Sequence, residues 1–318
     1  MRSLRALAVL SVAALFVIGA CTSAATPTPA PSVAPTAVPA SEAPTATPTE
    51  APTPTPAPTA VATVPADQLD FAGKLVICSD IPYPPQEYFD DQGNPIGSDI
   101  ELGQEIAKRL GLQPTIVNAV FDTIIEAVNG GKCDIIISAQ NITKDRLGQV
   151  GMIPYFNAGQ SFVVVAGNPL GITTELDLCG KKIAAETGTT EVDYVQGTSD
   201  YKGDGLPKLC SDAGKPAPAA KVYQKDTDAF LALSAGQVDS YFADAPVAGF
   251  YVKNNTGFAL SGVDVNPILE GISIPKNRTG LRDAVKAALL SMIADGTYKA
   301  ILDKYNVGEG AITTDQVK

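Results

Sequence analysis

A pattern of eight residues that occurs twice, about one hundred residues apart, sets the firmest limit on what this chain can fold into. Ala127-Val128-Asn129-Gly130-Gly131-Lys132-Cys133-Asp134 and Ala232-Leu233-Ser234-Ala235-Gly236-Gln237-Val238-Asp239 each carry a helix end, a glycine stop and an aspartate that opens a strand. Two copies are too few for a solenoid and predict two similar α/β halves. The flanking segments agree. Lys74-Leu75-Val76-Ile77-Cys78 is a short apolar strand, and Ser98-Asp99-Ile100-Glu101 has the spacing of a capping box. Ile100, Ile106, Ala107 and Leu110 then share one helical face up to Gly111, and Phe121, Ile124, Ile125 and Val128 repeat the arrangement. Asp134-Ile135-Ile136-Ile137-Ser138 is apolar enough for a strand buried on both faces, as in a parallel sheet.

The first 66 residues belong to neither half. From Thr22 to Ala66 the chain holds twelve of its 25 prolines among Ala, Thr, Val and Ser, without an aromatic, Lys or Arg. Such a stretch cannot bury enough apolar surface to offset its conformational entropy, and its prolines stiffen it into an extended spacer. Ahead of it lie Arg2, Arg5 and an apolar run from Ala6 to Ala20, shorter than a spanning helix requires. The run ends in Ile18-Gly19-Ala20-Cys21, which resembles the lipobox of bacterial lipoproteins. That resemblance implies a signal peptide over 1–20 and acylation of Cys21, with more than one chain, enough for stable anchoring. It places the protein outside the cytoplasm on the outer face of the cell membrane (the periplasmic side if an outer membrane is present), where disulfides persist.

Charge narrows the chemistry. Lys and Arg number 23 against 34 Asp and Glu, a net charge of −11, which disfavours nucleic acid and anionic headgroups as partners. There is no histidine, so the commonest general base and the commonest metal ligand are both missing. No cysteine spacing is that of a zinc site. Neither a metal nor a cofactor is expected.

In open α/β sheets ligands sit beyond the carboxyl ends of the strands, so the residues there carry the functional reading. After the first strand come Ser79-Asp80-Ile81-Pro82-Tyr83; after Ile135–Ile137 comes the run from Ser138 through Ala139 and Asn141 to Arg146. Lys182–Glu186 is followed by Thr187-Gly188-Thr189-Thr190, and Tyr241–Ala243 by Asp244. Arg146 offers a planar fork suited to a carboxylate. Gly188, Thr189 and Thr190 open a helix where an anion is favoured, and Asp244 can accept an ammonium group. A carboxylate clamp with an ammonium acceptor is what an α-amino acid demands. Tyr83 and Phe121 would wall in the remainder. Singly, Arg146 reads equally as a surface charge, the threonines as a helix cap, Asp244 as a turn start, and the aromatics as packing. Their joint position after four strands favours the site.

Between about Gly73 and Val307 the chain resembles the extracellular solute-binding proteins of polar amino-acid ABC importers, solute-binding family 3. The resemblance rests on Asn141-Ile142-Thr143-Lys144-Asp145-Arg146, Gly188-Thr189-Thr190, Asp244-Ala245-Pro246-Val247-Ala248, and Ala294-Asp295-Gly296-Thr297-Tyr298 through Lys304-Tyr305. It implies an α/β, two-lobed periplasmic-binding-protein type II fold with two mixed sheets flanked by helices and a two-stranded hinge. Lobe 1 would take residues 67–157 and 270–318. Residues 158–269 would form lobe 2 and the hinge segments, with crossings near Ala158-Gly159-Gln160 and Asn266-Pro267-Ile268-Leu269. The implied protein is a monomer that binds an L-amino acid, polar or cationic, through Asp80, Tyr83, Phe121, Ala139, Asn141, Arg146, Thr189, Thr190 and Asp244. It delivers the ligand to an ABC permease and catalyses nothing. Two other classes share the fold, a dehydratase using Asp244 or Glu186 as acid/base and a ligand-sensing surface lipoprotein. Gln86, in Pro84-Pro85-Gln86-Glu87-Tyr88, departs from the aromatic usual in relatives, and Asn141 from a Ser or Thr. Cys179, ahead of the lobe 2 strand, is expected to bridge to Cys210 in a Gly/Pro/Lys-rich loop, whereas Cys78 and Cys133 read as buried free thiols.

Overall fold

The structure is a computed structural model describing residues 61–198 and 205–317. The apolar N-terminus, Cys21 and most of the proline-rich stretch lie outside the described residues. The chain opens with β1 (Lys74–Ser79), a small hairpin of β2 (Tyr88–Phe89) and β3 (Pro95–Ile96), α1 (Ser98–Arg109), β4 (Gln113–Asn118), α2 (Ile124–Asn129), β5 (Ile135–Ile136) and α3 (Lys144–Gln149). The long strand β6 (Val150–Val165) leads to β7 (Lys182–Glu186), α4 (Thr190–Gln196), α5 (Gly205–Asp212), β8 (Ala219–Tyr223), α6 (Asp226–Ser234), β9 (Ser240–Asp244) and α7 (Ala245–Asn254). A second long strand, β10 (Phe258–Pro275), returns to the first set, which α8 (Thr279–Asp295) and α9 (Thr297–Lys304) complete.

The main strands run in the order β4-β1-β5-β10-β6-β9-β7-β8. Pairing is parallel at both ends and antiparallel in the middle. The two expected sheets are thus joined, through β6 and β10, into one hydrogen-bonded ladder. Along that pair the register slips between Leu260 and Asp264, between Val265 and Ile268, and between Glu270 and Gly271.

Inside the edge strands β4 and β8, the strands β1, β5, β7 and β9 are buried on both faces, as their unbroken apolar runs require. On β1, Leu75 and Ile77 join the cluster built on α1, α8 and α9, while Val76 and Cys78 face α2. At the other end Val163, Ala184 and Tyr241 face α6 and α7, while Phe162, Val164 and Ile183 face α4 and α5. Phe162 and Phe242 are paired in register and stack with centroids 3.8 Å apart.

The repeated aspartate has a structural cause. Asp134 accepts the Val76 and Asp70 N–H groups, each at 2.8 Å, and Arg278 at 3.2 Å. Asp239 likewise accepts the Lys182 N–H at 2.8 Å. Each side chain ties the start of its own strand to the start of the neighbouring strand. Asp134 is fully buried and serves three donors, so Asp134→Ala is expected to destabilise the fold by about 2–4 kcal/mol in chemical denaturation, against less than about 1 kcal/mol for half-buried Asp239→Ala. Equal losses would contradict this account.

Four local expectations change. Ser98 is the first residue of α1 and forms no capping box; Gly97 precedes it at φ 130°, where a Cβ would fall 2.1 Å from the Gln86 carbonyl oxygen. Residues 61–66, assigned to the spacer by composition, pack on the body, with the Val61 N–H donating to Arg109 O and Val64 touching the α1/α8 cluster. Cys179 and Cys210 are bonded as expected, but Cys210 sits on α5 rather than in a loop. Cys78 and Cys133 are not free thiols: they form a second disulfide, with Cα atoms 5.7 Å apart. Parallel β1 and β5 bring Cys133, two residues ahead of β5, within bridging distance of Cys78.

Candidate functional site

The carboxyl ends of β1, β5, β7 and β9 converge on one narrow cavity. Asp80 follows β1, Ala139 and Asn141 follow β5, and Arg146 lies on α3. Across from them Thr189 and Thr190 open α4 and Asp244 closes β9. All nine residues singled out as a ligand site, Tyr83 and Phe121 included, line this cavity.

The two ends of the sheet touch across it. The Tyr83 hydroxyl donates to Asp244 Oδ2 at 2.9 Å and accepts the Asp244 N–H at 3.1 Å. Asn141 Nδ2 donates to Thr190 Oγ1 at 2.9 Å, and Arg146 Nη2 donates to Gly188 O at 3.0 Å. Arg146 Nη1 donates to Asn141 O at 2.7 Å, and its guanidinium carbon stands 5.3 Å from the Phe121 ring centroid. This places the planar cation on an aromatic face at the cavity wall. Phe121 therefore supports Arg146 rather than only walling the cavity. Thr189 does cap α4: its hydroxyl accepts the Val192 N–H and donates to Glu186 O. Ala139 adopts φ 45°, held by Asp99 and the Tyr155 hydroxyl on its N–H, and the strained backbone marks the cavity floor.

Charge in the cavity is one-sided. Besides Asp80 and Asp244, three further carboxyl side chains line it, Glu87, Glu186 and Glu191, against Arg146 as the one cation among the lining residues. Burial raises every one of these acids. Asp244 is pushed up to about 6 by burial, with the Tyr83 and Asn141 hydrogen bonds and Arg146 pulling the other way. Glu191 rises through burial and the neighbouring Asp244, and Glu87 through burial and Asp99, the latter opposed by a hydrogen bond from Ser138. Burial lowers Arg146, while Glu191, Asp193 and Asp244 hold its charge. Glu87 Oε2, Glu191 Oε1 and Asn141 Oδ1 are buried without a hydrogen-bond partner among the described residues. Gln86 is turned away from the cavity and donates to Glu270 at 2.8 Å, so its departure from an aromatic does not alter the lining.

Sequence reasoning missed Glu87, Ser138 and Glu191 as lining residues and weighed Glu186 only as an acid/base. Glu186 and Glu191 flank the Gly-Thr-Thr loop, and Glu186 is the last residue of its strand, so the strand-end rule already points to it. Glu87 arrives through a turn closed by the Tyr83–Glu87 bridge, which leaves no local signal. Among the described residues no group of side chains has the makings of a metal site, and no helix is long and apolar enough to cross a membrane.

Residues 75–308 match the family model of bacterial extracellular solute-binding proteins, family 3. The chain belongs to that family. Among relatives of this solute-binding protein, ABC transporter arginine-binding protein 1 of Escherichia coli is 29% identical over 232 residues, covering 70% of this chain and 86% of that protein. The histidine-binding periplasmic protein of Salmonella typhimurium is 29% identical over 240 residues, 73% of this chain and 87% of its own. The solved structure of an ancestral arginine-binding protein bound to arginine superposes with a TM-score of 0.65 at 34% identity, covering 74% of this chain and 98% of that one. The two-lobed fold of these solute-binding proteins accounts for the two cores and the long strands between them.

Proposed function

We propose that this solute-binding protein captures an L-amino acid with a cationic side chain for an ABC importer. The surplus of acceptors carries the reading: five carboxyl side chains and one arginine line the cavity, and three buried oxygens there lack a donor. A ligand must bring donors and positive charge to such a lining. Arg146 takes the α-carboxylate, Asp244 the α-ammonium, and the side chain extends toward Asp80. Relatives named for arginine and histidine support this choice.

Residues 67–157 with 270–318 form one lobe and 158–269 the other, hinged where the β6–β10 register slips. Ligand bridging Arg146 and Asp244 favours the closed form, and closure is what a permease can recognise. The protein acts as a monomer without catalysis, held to the membrane through lipid on Cys21. Calorimetry across the twenty standard amino acids checks the reading. Arginine, lysine or histidine is expected to bind at about micromolar Kd or tighter, near −8 kcal/mol. Equal binding of neutral and basic amino acids, or of none, rejects it.

A further inference from the structure

We propose that Glu186 is the residue that makes this cleft select for charge. With Asp80 it forms a carboxyl pair spanning the two lobes, and that pair closes only around a proton or a ligand cation. The inference rests on the reading of the site as one for a cationic amino acid. Asp80 follows β1 on one lobe and Glu186 ends β7 on the other; both are buried and both line the same cavity. Two carboxyl groups buried together in one cavity cannot both stay ionised unless a cation stands between them. Glu186 is the better holder of a proton. Its burial and the charges of Asp226 and Asp80 raise it, while Asp80 is steadied by the Phe121 N–H at 3.1 Å and by Lys225. Apart from Lys225, the groups facing the pair are acids, Asp226, Asp122 and Glu87. Asp226, at the start of α6, accepts the Tyr241 and Tyr251 hydroxyls, and Asp122 adds a further negative charge.

In an open cleft the two groups separate into solvent and both ionise at neutral pH. Closure with a neutral ligand, or with none, must then take up one proton, which Glu186 holds. Closure around a guanidinium or ammonium group needs no proton, because the cation stands between two carboxylates. The pair therefore penalises every closed complex that lacks a positive side chain, and the penalty grows as pH rises.

The sign gives the test. Arginine and citrulline, which carries an uncharged urea in place of the guanidinium, are titrated calorimetrically between pH 5.5 and 8 in buffers of different ionisation enthalpy. Citrulline binding is expected to take up one proton more than arginine binding, and to tighten more as pH falls. The arginine-to-citrulline affinity ratio then falls by about tenfold per pH unit, the limit for one linked proton. In Glu186→Gln the ratio should become nearly flat with pH. Small-angle scattering of the wild-type protein without ligand adds a readout independent of both the variant and the ligand, with the radius of gyration shrinking as pH drops from 8 to 5.5. A ratio that does not change with pH, or one that still changes as steeply in a folded Glu186→Gln, overturns the inference. So does a pH-independent radius. Failure of every basic amino acid to bind removes the function proposed above instead, and the scattering series then still judges the pair.

Discussion

Alanine in place of Arg146 is expected to weaken arginine binding by about 2–5 kcal/mol, between roughly thirtyfold and several thousandfold. The guanidinium is buried among Phe121, Asn141 O and Gly188 O, and it is the one positive group lining a cavity with five carboxyls. Removing it leaves the ligand carboxylate without a partner and adds one more uncompensated negative charge to the wall. Arg146→Lys should recover only part of the loss, since an ammonium reproduces the charge but not the two-pronged geometry. Calorimetry at one pH and ionic strength is the measurement. An affinity for Arg146→Ala within threefold of wild type would mean that the carboxylate is held elsewhere.

Gly188→Ala is expected to cost binding through closure rather than through a lost contact. Gly188 sits at φ 77°, and a Cβ there would lie 2.8 Å from Asp122 Cα and 2.9 Å from Asp122 Cβ, across the cleft. The left-handed conformation alone costs a side-chain-bearing residue about 1–2 kcal/mol, in any state of the hinge. The collision with Asp122 arises only when the lobes meet. Ligand affinity should therefore drop by about a hundredfold or more while unfolding shifts by no more than the backbone strain. Scattering should show a smaller contraction on adding arginine than in wild type. A variant that binds and contracts normally would remove Gly188 from the closing contact.

The repeat around Asp134 and Asp239 made the α/β halves legible, because a carboxylate tying two strand starts is written into consecutive residues. The strand-end rule located the cavity for a similar reason: β1, β5, β7 and β9 present their next residues to one place whatever the loops do. Long-range placement was not legible. Glu87 lines the cavity because a turn folds back on Tyr83, and Gln86 beside it points to Glu270, a division that no periodicity encodes. The Cys78–Cys133 bond escaped because an apolar strand cysteine reads as core. Beyond Cys21, which the lipobox resemblance sets apart, four cysteines remain, an even number that favours two bridges.

Under the proposed lobe boundaries, both bridges lie within a lobe. Cys78–Cys133 joins β1 to the approach of β5, and Cys179–Cys210 joins the approach of β7 to α5. Neither spans the crossing strands, so covalent reinforcement and the opening coordinate are mechanically orthogonal. Outside the cytoplasm, where no thiol pool would undo a misplaced crosslink, that separation is what allows each lobe to be permanently stiffened while the pair continues to cycle through capture and release.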